Sequence, residues 1–208
     1  MYSEFIFIFI IIIVVYLLYF KDNRIEWEAF NGKKYKIRDA NNKEINQKKT
    51  DMLARLDEKA RTIIKYMHDN QLPNRDIANL TSSRFKNSPI GEIPNGDNSA
   101  AYTTNKGPIY ICLITKGKFN NENDAFFVIL HELAHVMSNS YGHGQEFKTN
   151  FNFIVKLAVK LDLWKDQKYE NKAIDYCGVN VTNSPCTGDH CEKDTLEQYY
   201  KESLMDYK

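Results

Sequence analysis

Residues 122–137 read Glu122-Asn123-Asp124-Ala125-Phe126-Phe127-Val128-Ile129-Leu130-His131-Glu132-Leu133-Ala134-His135-Val136-Met137. Phe126, Phe127, Ile129, Leu130, Leu133, Ala134 and Met137 leave almost no polar face, and a helix that is apolar all round belongs at the centre of a fold. Asn121 is placed to cap it. The spacing predicts a helix from Glu122 to about Asn139, broken by Gly142-His143-Gly144. Two histidines and a glutamate inside such a helix would be costly to bury without a compensating role. His131 and His135 stand four positions apart, so at about 100° per residue they lie within about 40° of each other, one turn along. Both imidazoles can then bind one Zn²⁺, the spacing of an H-E-x-x-H metal site. Glu132 lies about 100° round from His131, beside such an ion rather than on it. There it can take a proton from water and deliver it to a leaving amine. His143 is flanked by Gly142 and Gly144, which let the backbone turn sharply and approach closely. It is the expected third ligand, and three protein ligands leave the fourth position open, as in catalytic zinc sites. Glu146 is the competing ligand.

Working outward, Phe147, Phe151, Ile154, Val155, Ala158 and Leu161 form a one-sided stripe, predicting a second helix that ends near Trp164. Ahead of the histidines, Ile109-Tyr110-Ile111-Cys112-Leu113-Ile114 is β-branched and bounded by Gly107-Pro108 and Lys116-Gly117. It reads as a strand, and as the edge that would align an extended substrate, unless it is simply an interior strand. Leu53, Leu56, Ala60, Ile63, Ile64 and Met67 predict a further helix capped by Thr50 or Asp51, with His68 a surface residue at its C-terminal end. Residues 73–107 are dense in Asn, Ser, Pro and Gly and read as loop with short elements.

The N-terminal part looks different. Phe5 to Phe20 is sixteen consecutive hydrophobic residues, about 24 Å of helix. The charge preceding it is Glu4, and no small-residue cleavage site follows, so an uncleaved transmembrane anchor over residues 1–20 is expected rather than a signal peptide. Lys21, Arg24, Lys33, Lys34, Lys36 and Arg38 follow the run, which predicts a single-pass membrane protein with its body on the cytosolic side. Residues 21–50 read as a polar juxtamembrane linker, with a short strand near Lys34–Ile37 and a positive excess suited to anionic headgroups. The catalytic domain is then residues 51–185, and 186–208 a tail.

The 208 residues carry 28 Lys+Arg against 27 Asp+Glu. Such neutrality argues against nucleic acid as a general partner, though not against a local basic patch. Cys112, Cys177, Cys186 and Cys191 are too few and unevenly spaced for a secreted disulfide scaffold. Cys177, Cys186, His190 and Cys191 invite a second metal reading but lack a paired C-x-x-C knuckle, so free thiols are favoured, with pairing of Cys186 and Cys191 left open.

The pentapeptide His131 to His135, followed by Gly142-His143-Gly144, Phe147 and Lys148, resembles the SprT-like and WLM zinc metallopeptidases. A longer stretch, from Tyr102 through Leu113 and both helices to Tyr176-Cys177-Gly178, is similar to WLM-type proteins encoded by large DNA viruses. The resemblance covers about residues 50–185. It implies an α+β, minimal zincin-like fold, with a small sheet and two to three packed helices. It also implies His131, His135 and His143 as zinc ligands, Glu132 as general base, and a protein or peptide substrate. The histidine interval departs from it: many WLM proteins place the third His ten residues after the first, SprT proteins later, and here it is twelve. Both families are associated with DNA–protein crosslink repair, but no DNA-binding tail is found here. Tyr141 and Tyr176 are candidates for stabilising an oxyanion. The alternative to a peptidase is a zinc-stabilised binding or virion-associated membrane protein without turnover. Hydrolysis of a non-peptide amide would use the same chemistry.

Overall fold

The computed structural model describes residues 6–11, 22, 24–70, 79–81, 85 and 90–186. The chain is α+β. Strands β1 (Ile25–Glu28) and β2 (Lys34–Ile37) form an antiparallel hairpin, pairing Ile25 with Ile37 and Trp27 with Tyr35. Helix α1 (Lys43–Asp69) follows. A three-stranded sheet then has β5 (Ile109–Ile111) at its centre, β3 (Gly91–Glu92) parallel on one side and β4 (Ala101–Thr103) antiparallel on the other. A small hairpin, β6 (Ile114–Thr115) with β7 (Lys118–Phe119), leads into helices α2 (Glu122–Met137) and α3 (Gln145–Lys160). The hairpin β8 (Ile174–Tyr176) and β9 (Val179–Val181) closes the described chain.

Helix α2 is the centre of this arrangement. It packs against α3, α1, β4 and β5, and Phe126, Ile129, Leu130, Leu133, Ala134 and Met137 are fully buried. The Asn121 side chain accepts from the Asn123 N–H and caps it as expected. Helix α1 buries the predicted stripe of Leu53, Leu56, Ala60, Ile63 and Met67, but starts eight positions before Asp51. Asn42, not Thr50 or Asp51, is the cap, accepting from Glu44 and Ile45 N–H at 3.0 and 3.1 Å. The first two turns are polar and hide the helix from a periodicity argument. His68 lies exposed at the C-terminal end, its Nδ1 3.3 Å from the Asp69 carboxylate.

Residues 21–50 are not a linker. Tyr35 and Ile37 are fully buried, and the alternation of Lys34-Tyr35-Lys36-Ile37 gives β2 one face to α1 and one to solvent. A buried ion network holds this hairpin to the sheet. The Glu92 carboxylate on β3 accepts from Arg38 N–H at 2.8 Å and meets Arg38 Nε and Lys49 Nζ at 3.1 Å each. Gly91 beside it sits in tight surroundings. A Cβ there would stand 3.3 Å from the Tyr110 ring and 3.5 Å from the Lys36 carbonyl oxygen.

Three further expectations are corrected. Among the described residues no helix is long and apolar enough to cross a membrane. Residues 1–5 and 12–20 lie outside the described residues. That finding is against the transmembrane anchor and the single-pass, cytosolic-facing localisation. The strand expected at Ile109–Ile114 ends at Ile111: Cys112 N–H turns to the Ala100 carbonyl, and Ile114 begins the next hairpin. Among the described residues the cysteines are not free thiols. Cys112 and Cys177 form a disulfide with Cα atoms 6.4 Å apart, joining the end of β5 to the β8–β9 turn, and Cys186 is disulfide-bonded as well. This removes Cys177 and Cys186 from a second metal site. His190, Cys191 and the rest of the tail from 187 lie outside the described residues.

Truncating Glu92 strands Lys49, whose side chain is 5% exposed, without its counter-charge. Glu92→Ala should lower unfolding stability by about 3–5 kcal/mol, read as a shift in urea midpoint. An unchanged midpoint would show that the network contributes nothing net.

Candidate metal centre

His131 and His135 project from the same side of α2, and the loop after the helix brings His143 onto them. His143 Nε2 lies 3.1 Å from His131 Nε2 and 3.2 Å from His135 Nε2. One donor atom from each of the three falls within 4.8 Å of the others. Hydrogen bonding alone does not account for this. A ring nitrogen carries at most one proton, so His143 Nε2 cannot be matched to both neighbours at once. Nitrogens bonded to one tetrahedral zinc at about 2.0–2.1 Å stand about 3.3 Å apart, close to the spacing found. Burial, reinforced by repulsion from the His135 and His143 imidazoles, pulls His131 down to about 3, and burial with repulsion from His143 and Lys106 pulls His135 to about 4. Both are therefore neutral, with a lone pair to offer, at physiological pH. The donor set fits a zinc ion.

Several residues outside the motif build this geometry. Phe147, on the first turn of α3, sits against all three imidazoles, with ring centroids 4.8, 4.3 and 4.7 Å from those of His131, His135 and His143. It forms an apolar floor that fixes the rings' orientation. Gly142 adopts φ +79°, which a side chain would strain. Glu146, the competing ligand from the sequence, faces the other way. Its carboxylate accepts from Asn139 N–H, Ser140 N–H and Ser140 Oγ at 2.9, 2.9 and 2.6 Å, clamping the loop that carries His143. Asn150 donates to Ser138 Oγ at 3.0 Å from below. The Lys106 ammonium donates to the carbonyls of His135 and Ser138, a cation at the negative end of α2.

Glu132 is 6% exposed, and burial lifts its carboxyl to about 7 against the opposing hydrogen bond from Thr103 N–H. Thr103 belongs to β4, and this strand replaces Ile109–Ile114 as the sheet edge at the site. Ile109–Ile111 is interior, paired on both sides. Cys112 N–H bonds Ala100 O at 2.8 Å, and Tyr102 opposes Tyr110. In an antiparallel ladder bonded pairs alternate, so Tyr102 bonds to β5 while Ala101 and Thr103 turn their backbone groups away from it. The Thr103 bond to Glu132 agrees with that direction.

Two cavities meet at the histidines. One of about 410 Å³ runs along Tyr102, Thr103 and Lys106 to Tyr141. The other, about 600 Å³, lies toward Phe127, Val128, Phe151 and Val181. Both are lined by Ala101, His131, Glu132 and His143. Tyr176 is excluded as an oxyanion stabiliser, because its buried hydroxyl donates to Cys112 O at 2.7 Å. Tyr141, 97% exposed, stands at the lip of the smaller cavity. Thr103, Lys106 and Asn150 carry no sequence signal of their roles. Phe147 was legible only as one member of an apolar stripe.

With the site in view, its relatives can be placed. No family model matches the chain, and no solved structure matches it. It is similar to an uncharacterized protein of Acanthamoeba polyphaga mimivirus, 28% identical over 189 residues that cover 81% of this chain and 90% of the relative. It is also similar to uncharacterized proteins of two invertebrate iridescent viruses. With the type 6 protein it is 31% identical over 38% of this chain and 47% of the relative. With the type 3 protein it is 29% identical over 40% of this chain and 52% of the relative. The chain thus spans about half the length of the two iridescent-virus relatives. All three are viral proteins, in agreement with the viral part of the resemblance.

Glu146→Ala removes the three bonds from its carboxylate to the 139–140 segment. Amide hydrogen exchange at Asn139 and Ser140 should accelerate at least tenfold while the amides of α1 keep their protection. Unchanged exchange would show that the loop is held by something else.

Proposed function

We propose that this protein is a zinc-dependent peptidase of the SprT-like/WLM kind, acting on protein or peptide substrates. The observation that carries the reading is the convergence of the His131, His135 and His143 Nε2 atoms beside a buried Glu132, at a point where two cavities open. A zinc ion held by the three imidazoles would supply a Lewis acid that polarises a carbonyl and acidifies water.

The chain's own groups do the rest. Glu132, lifted by burial into the range where a carboxyl both takes and returns a proton near neutral pH, receives the proton of the attacking water. It then returns that proton to the leaving amine nitrogen. Thr103 N–H holds the carboxylate in place. The outward backbone groups of Ala101 and the outward carbonyl of Thr103 give an extended substrate a strand to pair with, which orients its scissile bond over the histidines. Phe147 shields the imidazoles from water on the opposite side.

A zinc-stabilised binding protein is the second reading, and the same carboxylate weighs against it, since a purely structural site has no use for a buried base beside its ligands.

Metal analysis of the purified chain should return one zinc per chain, and incubation with a denatured protein should yield fragments. Glu132→Gln should keep the zinc and the fold while lowering turnover at least a hundredfold. Proteolysis that survives in this variant would sink the mechanism. His143→Ala should bind zinc at least tenfold more weakly, read by competition with a chromogenic chelator.

A further inference from the structure

The larger cavity is bounded by a second strand edge. The β8–β9 turn has two residues, Cys177 and Gly178, with φ +49° and +86°, the signs of a type I′ hairpin. Its closing pair, Tyr176 with Val179, is therefore the hydrogen-bonded one, and the next pair, Asp175 with Asn180, is not. Asn180 accordingly turns its backbone N–H and C=O away from β8. Ala101 turns its own away from β5, and both residues line the same cavity. A space with outward-facing backbone groups on two borders matches the hydrogen-bonding needs of an extended chain, which carries donors and acceptors along both of its edges.

The floor of the space is apolar. Phe127 is buried and Val128 and Phe151 are partly buried. Phe127 stacks on Trp164 at 5.2 Å between centroids and touches Phe151 at 5.4 Å, so the floor is rigidly backed. Val181 adds an apolar wall. Side chains of an extended segment alternate between its two faces. A residue facing the floor meets these rings, and its neighbours face outward.

We infer that the cavity between Ala101 and Asn180 binds an extended peptide segment that places one large apolar side chain against Phe127, Val128 and Phe151. The inference rests on the peptidase reading of the same site, which supplies the reason for a peptide to lie beside the histidines. It adds the substrate class: chain segments unfolded enough to be extended, with a bulky apolar residue next to the scissile bond.

The test uses the full chain carrying Glu132→Gln, so that bound peptide stays intact. Its probes are fluorescently labelled alanine heptapeptides with a central Phe, Leu, Gly or Asp, titrated by anisotropy. Phe and Leu peptides should bind at least tenfold more tightly than Gly and Asp peptides. N-methylation of the backbone amide beside the Phe should weaken binding. Val128→Asp should erase the preference. Because that change sits on the central helix, Val181→Asp on the hairpin wall is the second variant and should do the same. Equal affinity for the four peptides, or binding of none, overturns the inference. Apolar-selective binding by a wild-type chain that cleaves none of the peptides leaves the inference standing and ends the peptidase reading. Cleavage indifferent to the central residue does the reverse.

Discussion

A helix that must be buried on nearly every side, and still carry two imidazoles and a carboxylate, constrains the whole molecule. The apolar positions of α2 require partners all round, and α1, α3 and the three-stranded sheet supply them. That leaves the polar trio a narrow strip of surface between β4 and the start of α3. The groups on that strip are supported by residues of the neighbouring elements. His131 and His135 rest on Phe147, and Glu132 is met by Thr103 N–H. Close packing of the helix and chemical readiness of the site are thus one problem, solved by the same neighbours.

The third histidine belongs to this solution although it lies outside the helix. His143 sits on a loop, where local order is usually low, and must reach a point fixed within tenths of an ångström by α2. The loop is held from three directions. Glu146 binds the 139–140 backbone, Asn150 and Lys106 secure the Ser138 turn, and Gly142 provides a bend that other residues resist. A carboxylate that resembles a ligand in the sequence is more useful here as a fastening. A metal site needs its donors oriented by a second layer of bonds as much as it needs the donors.

The sequence discloses some of this and conceals the rest for definite reasons. Helices α2 and α3 are legible because Asn121, the apolar spacing and the glycine break agree with one another. The three histidines are legible because their spacing follows from helix geometry and a flexible loop. The start of α1 is hidden because Lys43 to Lys49 is polar apart from Ile45 and Asn42 is one of several asparagines nearby. Strand order is hidden for a deeper reason. Ile109–Ile111 has the stronger strand composition because it is interior, while the edge that faces the histidines, Ala101–Thr103, is short and half-polar. The pairing of Cys112 with Cys177 is set by tertiary proximity, which no spacing rule reveals. The apolar run at the N-terminus invites a membrane reading from composition alone, and the described helices do not support it.

The Cys112–Cys177 bond closes a covalent ring over a sequence separation of 65. His131, Glu132, His135 and His143 all lie on that ring, together with Glu146 and Phe147. Strand β4, Lys106 and α1 lie off it. The chain is therefore divided into two parts with different fates under damage. A single backbone break anywhere between Cys112 and Cys177 opens the ring without separating any donor from the others. A break between Thr103 and Cys112 detaches β4 from the covalent unit that carries the three histidines. The histidine cluster and the strand edge beside it thus belong to separate pieces of one polypeptide.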